Sequence, residues 1–182
     1  MLIVLAVVGT TTLMAQTHQI TSDNTSVKWF ASKIGGSHHG NISLKEGHLS
    51  WEDDKIAAGK FVVDMKSITC NDIENEDYNK KLVDHLKSDD FFGAEEFPEA
   101  VLEVLESTPF VNGKSKVKAN LTIRGITHPV EFEVVKQSDK LMATITVDRS
   151  NYNVKFRSKS FFKNLGDKLI YDEFTLEIAI LK

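Results

Sequence analysis

The chain has 182 residues, with 22 Lys plus Arg against 26 Asp plus Glu and a net charge of −4. This length suits one domain, and the acidic balance argues against a nucleic-acid backbone binder, which needs a basic stripe. Hydrophobic residues at 41% and charged residues at 26% exclude intrinsic disorder, while the single cysteine, Cys70, excludes an intramolecular disulfide and a zinc site built from cysteines.

Residues 1–15 read MLIVLAVVGTTTLMA, with no polar side chain from Met1 to Val8. The run falls short of the roughly 20 residues that span a bilayer, so no transmembrane span is expected. It matches the apolar core of an export signal, with Ala15 as the cleavage residue. The match is imperfect, because no Lys or Arg precedes the run and Leu13 stands where a small residue is usual. A buried N-terminal strand is the alternative. The expectation is a signal peptide over 1–15 and an exported domain over 16–182, periplasmic or extracellular.

Beyond residue 15 the dominant signal is alternation, which marks half-buried strands. Val27, Trp29 and Ala31 alternate with Lys28 and Phe30; weaker candidates cover 41–44 and 48–51. Phe61, Val63 and Met65 then alternate with Lys60, Val62 and Asp64, and 100–106 is a further weak candidate. Val117, Ala119, Leu121 and Ile123 form the clearest stripe, followed by Val130, Phe132 and Val134. Leu141, Ala143, Ile145 and Val147 come next, and Phe174, Leu176, Ile178 and Ile180 close the series. Turn residues such as Asn112-Gly113 separate the runs.

Two stretches break the pattern. Between 71 and 98, Tyr78, Leu82 and Leu86 recur every four residues and predict one or two helical turns, and Asp72 to Asp77 reads as a solvated acidic loop. Residues 157–165 are irregular and carry Phe161 and Phe162 among Lys159 and Lys163. Strands that follow one another without helical crossovers exclude a parallel βαβ architecture. The predicted fold is all-β: an antiparallel sheet of about eight strands closing into a barrel, with a short helical excursion. Such a barrel is either filled by its own side chains or holds one small ligand, and periodicity does not decide between them.

Catalytic and metal signatures fail. No G-x-S-x-G elbow, H-E-x-x-H pair or phosphate-binding glycine loop occurs. His38 and His39 are neighbours that a strand would point to opposite faces, and His48, His85 and His128 are scattered. Cys70 has no His nearby in sequence, so neither a thiol nucleophile nor a metal site is expected.

Several segments resemble one family. HLKSDDFF at 85–92 followed by Phe97-Pro98, LTIRGITHPV at 121–130 and DRSNY at 148–152 are similar, in order and spacing, to motifs of YceI-like proteins. The resemblance runs from about Gln19 to Leu181. Gly93 departs from a usual Asp, and Asn153 from a usual Gly in a conformation Asn tolerates. The resemblance implies an extended, lipocalin-like antiparallel barrel that binds a polyisoprenoid or other long-chain amphiphile in its lumen. It further implies export, no enzymatic activity, no cofactor, and the homodimers seen in the family.

On that reading the lumen is lined by Trp29, Phe61, Val63, Leu121, Ile123, Phe132, Ala143, Ile145, Phe174 and Ile178. Phe91 and Phe92 sit at the mouth, where they either meet the ligand tail or anchor the loop. Arg149, Lys155 and Arg157 form a cationic set facing the headgroup or, alternatively, a solvated strand face. A packed barrel serving as an interaction or stress-response domain, or an enzyme acting on an isoprenoid lipid, are the competing functions.

Overall fold

The computed structural model describes residues 16–181; the expected leader lies outside the described residues. The strands are β1 (Gln16–Ile20), β2 (Thr25–Lys33), β3 (Gly36–Asn41), β4 (Ser43–Glu52), β5 (Lys55–Asp64), β6 (Glu99–Ser107), β7 (Lys114–Ile123), β8 (Ile126–Lys136), β9 (Lys140–Asp148) and β10 (Ile170–Leu181). One helix, α1 (Glu76–Lys87), lies between β5 and β6. All pairings are antiparallel within one sheet, in the order β1-β4-β5-β6-β7-β8-β9-β10-β2-β3.

Alternation builds this sheet as expected. Along β7, buried Ser115, Val117, Ala119, Leu121 and Ile123 interleave with exposed Lys114, Lys116 and Lys118. The β7–β8 hairpin turns on Arg124 and Gly125, both at positive φ (52° and 70°), which is the twist a two-residue hairpin needs.

Ten strands stand where about eight were predicted. The segments 41–44 and 48–51 belong largely to one strand, β4. The additional strands, β1 (QTHQI) and β3 (GSHHGN), are polar and show no alternation. Each is a terminal strand of the sheet, paired on one side only by another strand, and neither carries an apolar stripe, so hydrophobic periodicity could not register them.

The sheet curls until the start of β4 meets β2, where the Ile42 N–H donates to the Val27 carbonyl at 3.0 Å. The outer edge of β3 is sealed by the chain leaving β5. Asn71 N–H donates to the His39 carbonyl (2.9 Å) and Thr69 N–H to the Asn41 carbonyl (3.0 Å). Covering the edge in this way removes a template for unwanted strand addition. The β8–β9 seam is looser: only Val134, Val135 and Lys136 pair with β9, against ten pairs between β7 and β8. Pro129, which has no N–H to give a ladder, lies in the part of β8 that has left β9.

The helix is longer than predicted, with twelve residues. The Asn75 side chain caps it by accepting from Tyr78 N–H, Glu76 and Asp77 occupy the first turn, and His85 and Lys87 the last. These ends satisfy orphan backbone donors and complement the helix dipole. Its inward face is Leu82, Val83 and Leu86, whereas Tyr78, predicted on that face, is exposed. Asp72 is not a free loop acid either, because it accepts from His39 N–H and Cys70 Sγ.

Candidate functional site

The buried residues fall into two clusters. One contains Trp29, Leu121, Ile123 and Ile145; the other contains Leu49, Val117, Val134 and Leu141. Val63, Phe132 and Ile178 pack against both. An internal cavity is lined by residues of both clusters and so extends from one to the other. The cavity volume is about 190 Å³, room for several water molecules.

All ten residues assigned to the lumen line this cavity: Trp29, Phe61, Val63, Leu121, Ile123, Phe132, Ala143, Ile145, Phe174 and Ile178. Strand pleating explains the grouping, since residues two apart share a face. Phe174 lies across from Ala31 and Val147, and Ile178 across from Val27 and Ala143. Leu86, Met65 and Tyr171 also line the cavity. Leu86 belongs to α1, and Tyr171 lies three residues before the alternating run of β10, so strand alternation gave no signal for either.

The mouth assignments divide. Phe91 and Phe92 both line the cavity. Phe92 packs edge-on to Phe174 at 6.2 Å between ring centroids, while the carbonyl of buried Phe91 accepts from Arg124 Nη1. Anchoring the loop and walling the cavity are therefore the same contact set.

The cationic set does not assemble. Residues 149–152 form a 3-10 turn rather than the opening of a strand, started by Asp148 accepting from Ser150 N–H and ended by Asn153 at φ 61°. Arg149 is consequently buried, at 4% exposure, while Lys155 and Arg157 are exposed and do not line the cavity. Lys155 lies over the Phe161 ring and Arg157 over the Phe156 ring, at 5.4 and 5.0 Å.

Among the described residues Arg149 is the one charged member of the lining, yet its guanidinium faces protein groups. Nε donates to the Tyr171 carbonyl, Nη1 to Val154 and Nη2 to Ile170, at 3.1–3.2 Å. Nη2 also lies 3.3 Å from Asp172 Oδ1 as an ion pair; that oxygen accepts no hydrogen bond, and Oδ2 accepts from Ser160 Oγ at 2.8 Å. Burial pushes the Arg149 pKa down, and the Asp172 and Asp148 carboxylates oppose this. The remaining wall is overwhelmingly hydrocarbon. Exposed Tyr171 brings the lining to the surface at the start of β10.

This chemistry suits a neutral hydrocarbon chain. Among the described residues no nucleophile and base face each other in the lining, and no helix is long and apolar enough to cross a membrane.

Residues 15–181 match the family model described as the YceI-like domain. The chain belongs to the YceI-like family. Relatives in this family include UPF0312 proteins of Pseudomonas putida strain W619, 32% identical over 112 residues, and Staphylococcus aureus strain N315, 34% identical over 89 residues. These matches cover 59% and 43% of the chain and 54% and 49% of the relatives, so the chain spans about half the length of the curated relatives it matches. Among solved structures it is similar to Burkholderia cenocepacia BcnA, with a TM-score of 0.67 at 19% identity, covering 90% of this chain and 99% of that one. It is also similar to a polyisoprenoid binding domain from Saccharophagus degradans implicated in plant cell wall breakdown, with a TM-score of 0.58 at 10% identity, covering 92% and 98%. At these identities the likeness establishes the YceI-like fold.

Proposed function

We propose that this YceI-like protein is a non-catalytic carrier or store for a polyisoprenoid or another long-chain amphiphile, held with its hydrocarbon in the cavity. The observation that carries the reading is the lining itself, a hydrocarbon wall whose one charged residue has its donors committed to protein carbonyls. Each methylene equivalent moved from water into such a space contributes on the order of 0.8 kcal/mol, so a few isoprene units offset the cost of association. The polyisoprenoid-binding description of the Saccharophagus degradans domain supports the same ligand class.

The headgroup is proposed to lie near Tyr171, Phe91 and Phe92 rather than at Lys155 or Arg157. The carrier is further proposed to work after export and to form a homodimer. Protein purified from its source, measured by native mass spectrometry and then extracted with solvent, tests the central reading. A co-purifying long-chain lipid at one per chain supports it; a chain that stays empty when offered such lipids contradicts it. N-terminal sequencing of the protein from cell fractions tests export, and its mass in solution tests the dimer.

A further inference from the structure

We propose that His38, Cys70 and Asp72 form a binding site for one transition-metal ion of the zinc class, at the sealed edge of β3. None of the three lines the cavity, so the inference does not depend on the lipid reading.

The three side chains come from two separated segments that the fold presses together. His38 lies on β3, while Cys70 and Asp72 lie on the chain that covers its edge. Each offers one ligand atom, and these atoms all lie within 4.8 Å of one another. His38 Nδ1 is 2.8 Å from Asp72 Oδ2, and Cys70 Sγ is 3.3 Å from Asp72 Oδ1. Ligand atoms around tetrahedral zinc stand about 3.3–3.8 Å apart, given bonds of about 2.0–2.3 Å. The triad therefore needs only small side-chain adjustments to close on an ion.

The donor set selects the metal. One thiol sulfur, one imidazole nitrogen and one carboxylate oxygen suit zinc-class ions, whereas calcium and magnesium demand six or more oxygens. Three protein ligands leave a fourth position for water or for His39, whose Nδ1 is 3.8 Å from Asp72 Oδ1. Adjacent strand residues were expected to diverge from any shared ion. Both histidines nonetheless reach Asp72, because its carboxylate sits across the edge of β3 and is not confined to one face.

The surroundings hold the ligands in place, as outer contacts do in metal sites. His39 N–H donates to Asp72 Oδ1 at 2.9 Å. Asn79 Nδ2 donates to the Cys70 and Ile73 carbonyls at 2.9 and 3.0 Å, fixing the turn from helix α1. A bound ion would thus bond β3 to the root of the excursion that carries Leu86, Phe91 and Phe92 over the cavity.

The test is a titration of the reduced wild-type protein with Co²⁺, followed by displacement with Zn²⁺. Binding of one equivalent with tetrahedral visible bands and a thiolate-to-cobalt charge-transfer band is expected. Because Cys70 is the only cysteine, that band reports this site in the unmodified chain, whatever the folding of any variant. Cys70→Ser should abolish the band, and His38→Ala and Asp72→Asn should each weaken binding about tenfold or more. A wild-type protein without the thiolate band at saturating Co²⁺, including one with only an octahedral spectrum, overturns the proposal. Undiminished affinity in folded His38→Ala overturns the ligand set. Native mass spectrometry of the lumen lipid reads the other hypothesis separately.

Discussion

The indole of Trp29 donates from Nε1 to the carbonyl oxygen of Thr69 at 2.9 Å, joining the cavity wall to the segment that seals the sheet edge. Gly40 lies between them on β3, and a Cβ there would stand 1.8 Å from the same Thr69 oxygen and 2.8 Å from the Trp29 nitrogen. No rotamer relieves a clash with backbone. Gly40→Ala should destabilise the protein by about 3 kcal/mol or more, in the range reserved for severe core lesions, and urea denaturation measures it. A loss under 1 kcal/mol would mean that the edge segment moves freely.

Ala143 lines the cavity opposite Val134 and Ile178. Ala143→Trp should fill space that is otherwise available to a ligand. We expect lipid occupancy, read by native mass spectrometry, to fall about tenfold or more, equivalent to ~1.4 kcal/mol. Stability should change by less than the ~1–3 kcal/mol that overpacking a filled core costs. Unchanged occupancy in a folded variant would remove this face from the site.

Arg149 and Asp172 are both 4% exposed at their side chains. Arg149→Met leaves the Asp172 carboxylate with Ser160 as its one hydrogen-bond partner, and breaking a buried pair from one side costs about 3–5 kcal/mol. Adding Asp172→Asn should recover part of that loss, a coupling that a double-mutant cycle reads directly. Additive losses would show that the pair does not interact.

Tyr152 is 1% exposed, and burial pushes its phenol pKa up from 10.0 to about 12. The native state therefore holds this proton where the unfolded chain has released it. The stability tied to the neutral phenol is complete below pH 10 and falls away as pH rises towards 12, by on the order of 2 kcal/mol. Tyr152→Phe should flatten this alkaline limb in pH-dependent denaturation. An equally steep limb in the variant would place its origin elsewhere.

Sequence and structure agree where a strand buries one face, and part where other forces act. Val117 announced β7 because exposed Lys116 and Lys118 flank it. β3, by contrast, is held by backbone pairing to β2 and by Thr69 and Asn71, none of which leaves a hydrophobic signature. The ten lumen residues were legible because pleating and hydrophobicity coincide. Leu86 was visible as part of a helix but not as a cavity wall, since the helix's place over the sheet is a long-range outcome. Arg149, Lys155 and Arg157 share a sign and a two-residue spacing from 155 to 157, but the 3-10 turn after Asp148 buries the first alone. The His38, Cys70 and Asp72 triad was hidden because its members are brought together by edge covering rather than by proximity along the chain.

The two tryptophans provide the most direct measurement of where a hydrocarbon chain lies. Trp29 lines the cavity, whereas Trp51 stacks on Phe110 outside the lining. In Trp51→Phe protein titrated with a brominated long-chain amphiphile, the account predicts saturable quenching of Trp29 at one ligand per chain. In Trp29→Phe protein it predicts that Trp51 keeps its emission. Unquenched Trp29 at saturating ligand, or equal quenching of both indoles, would contradict a hydrocarbon-filled lumen.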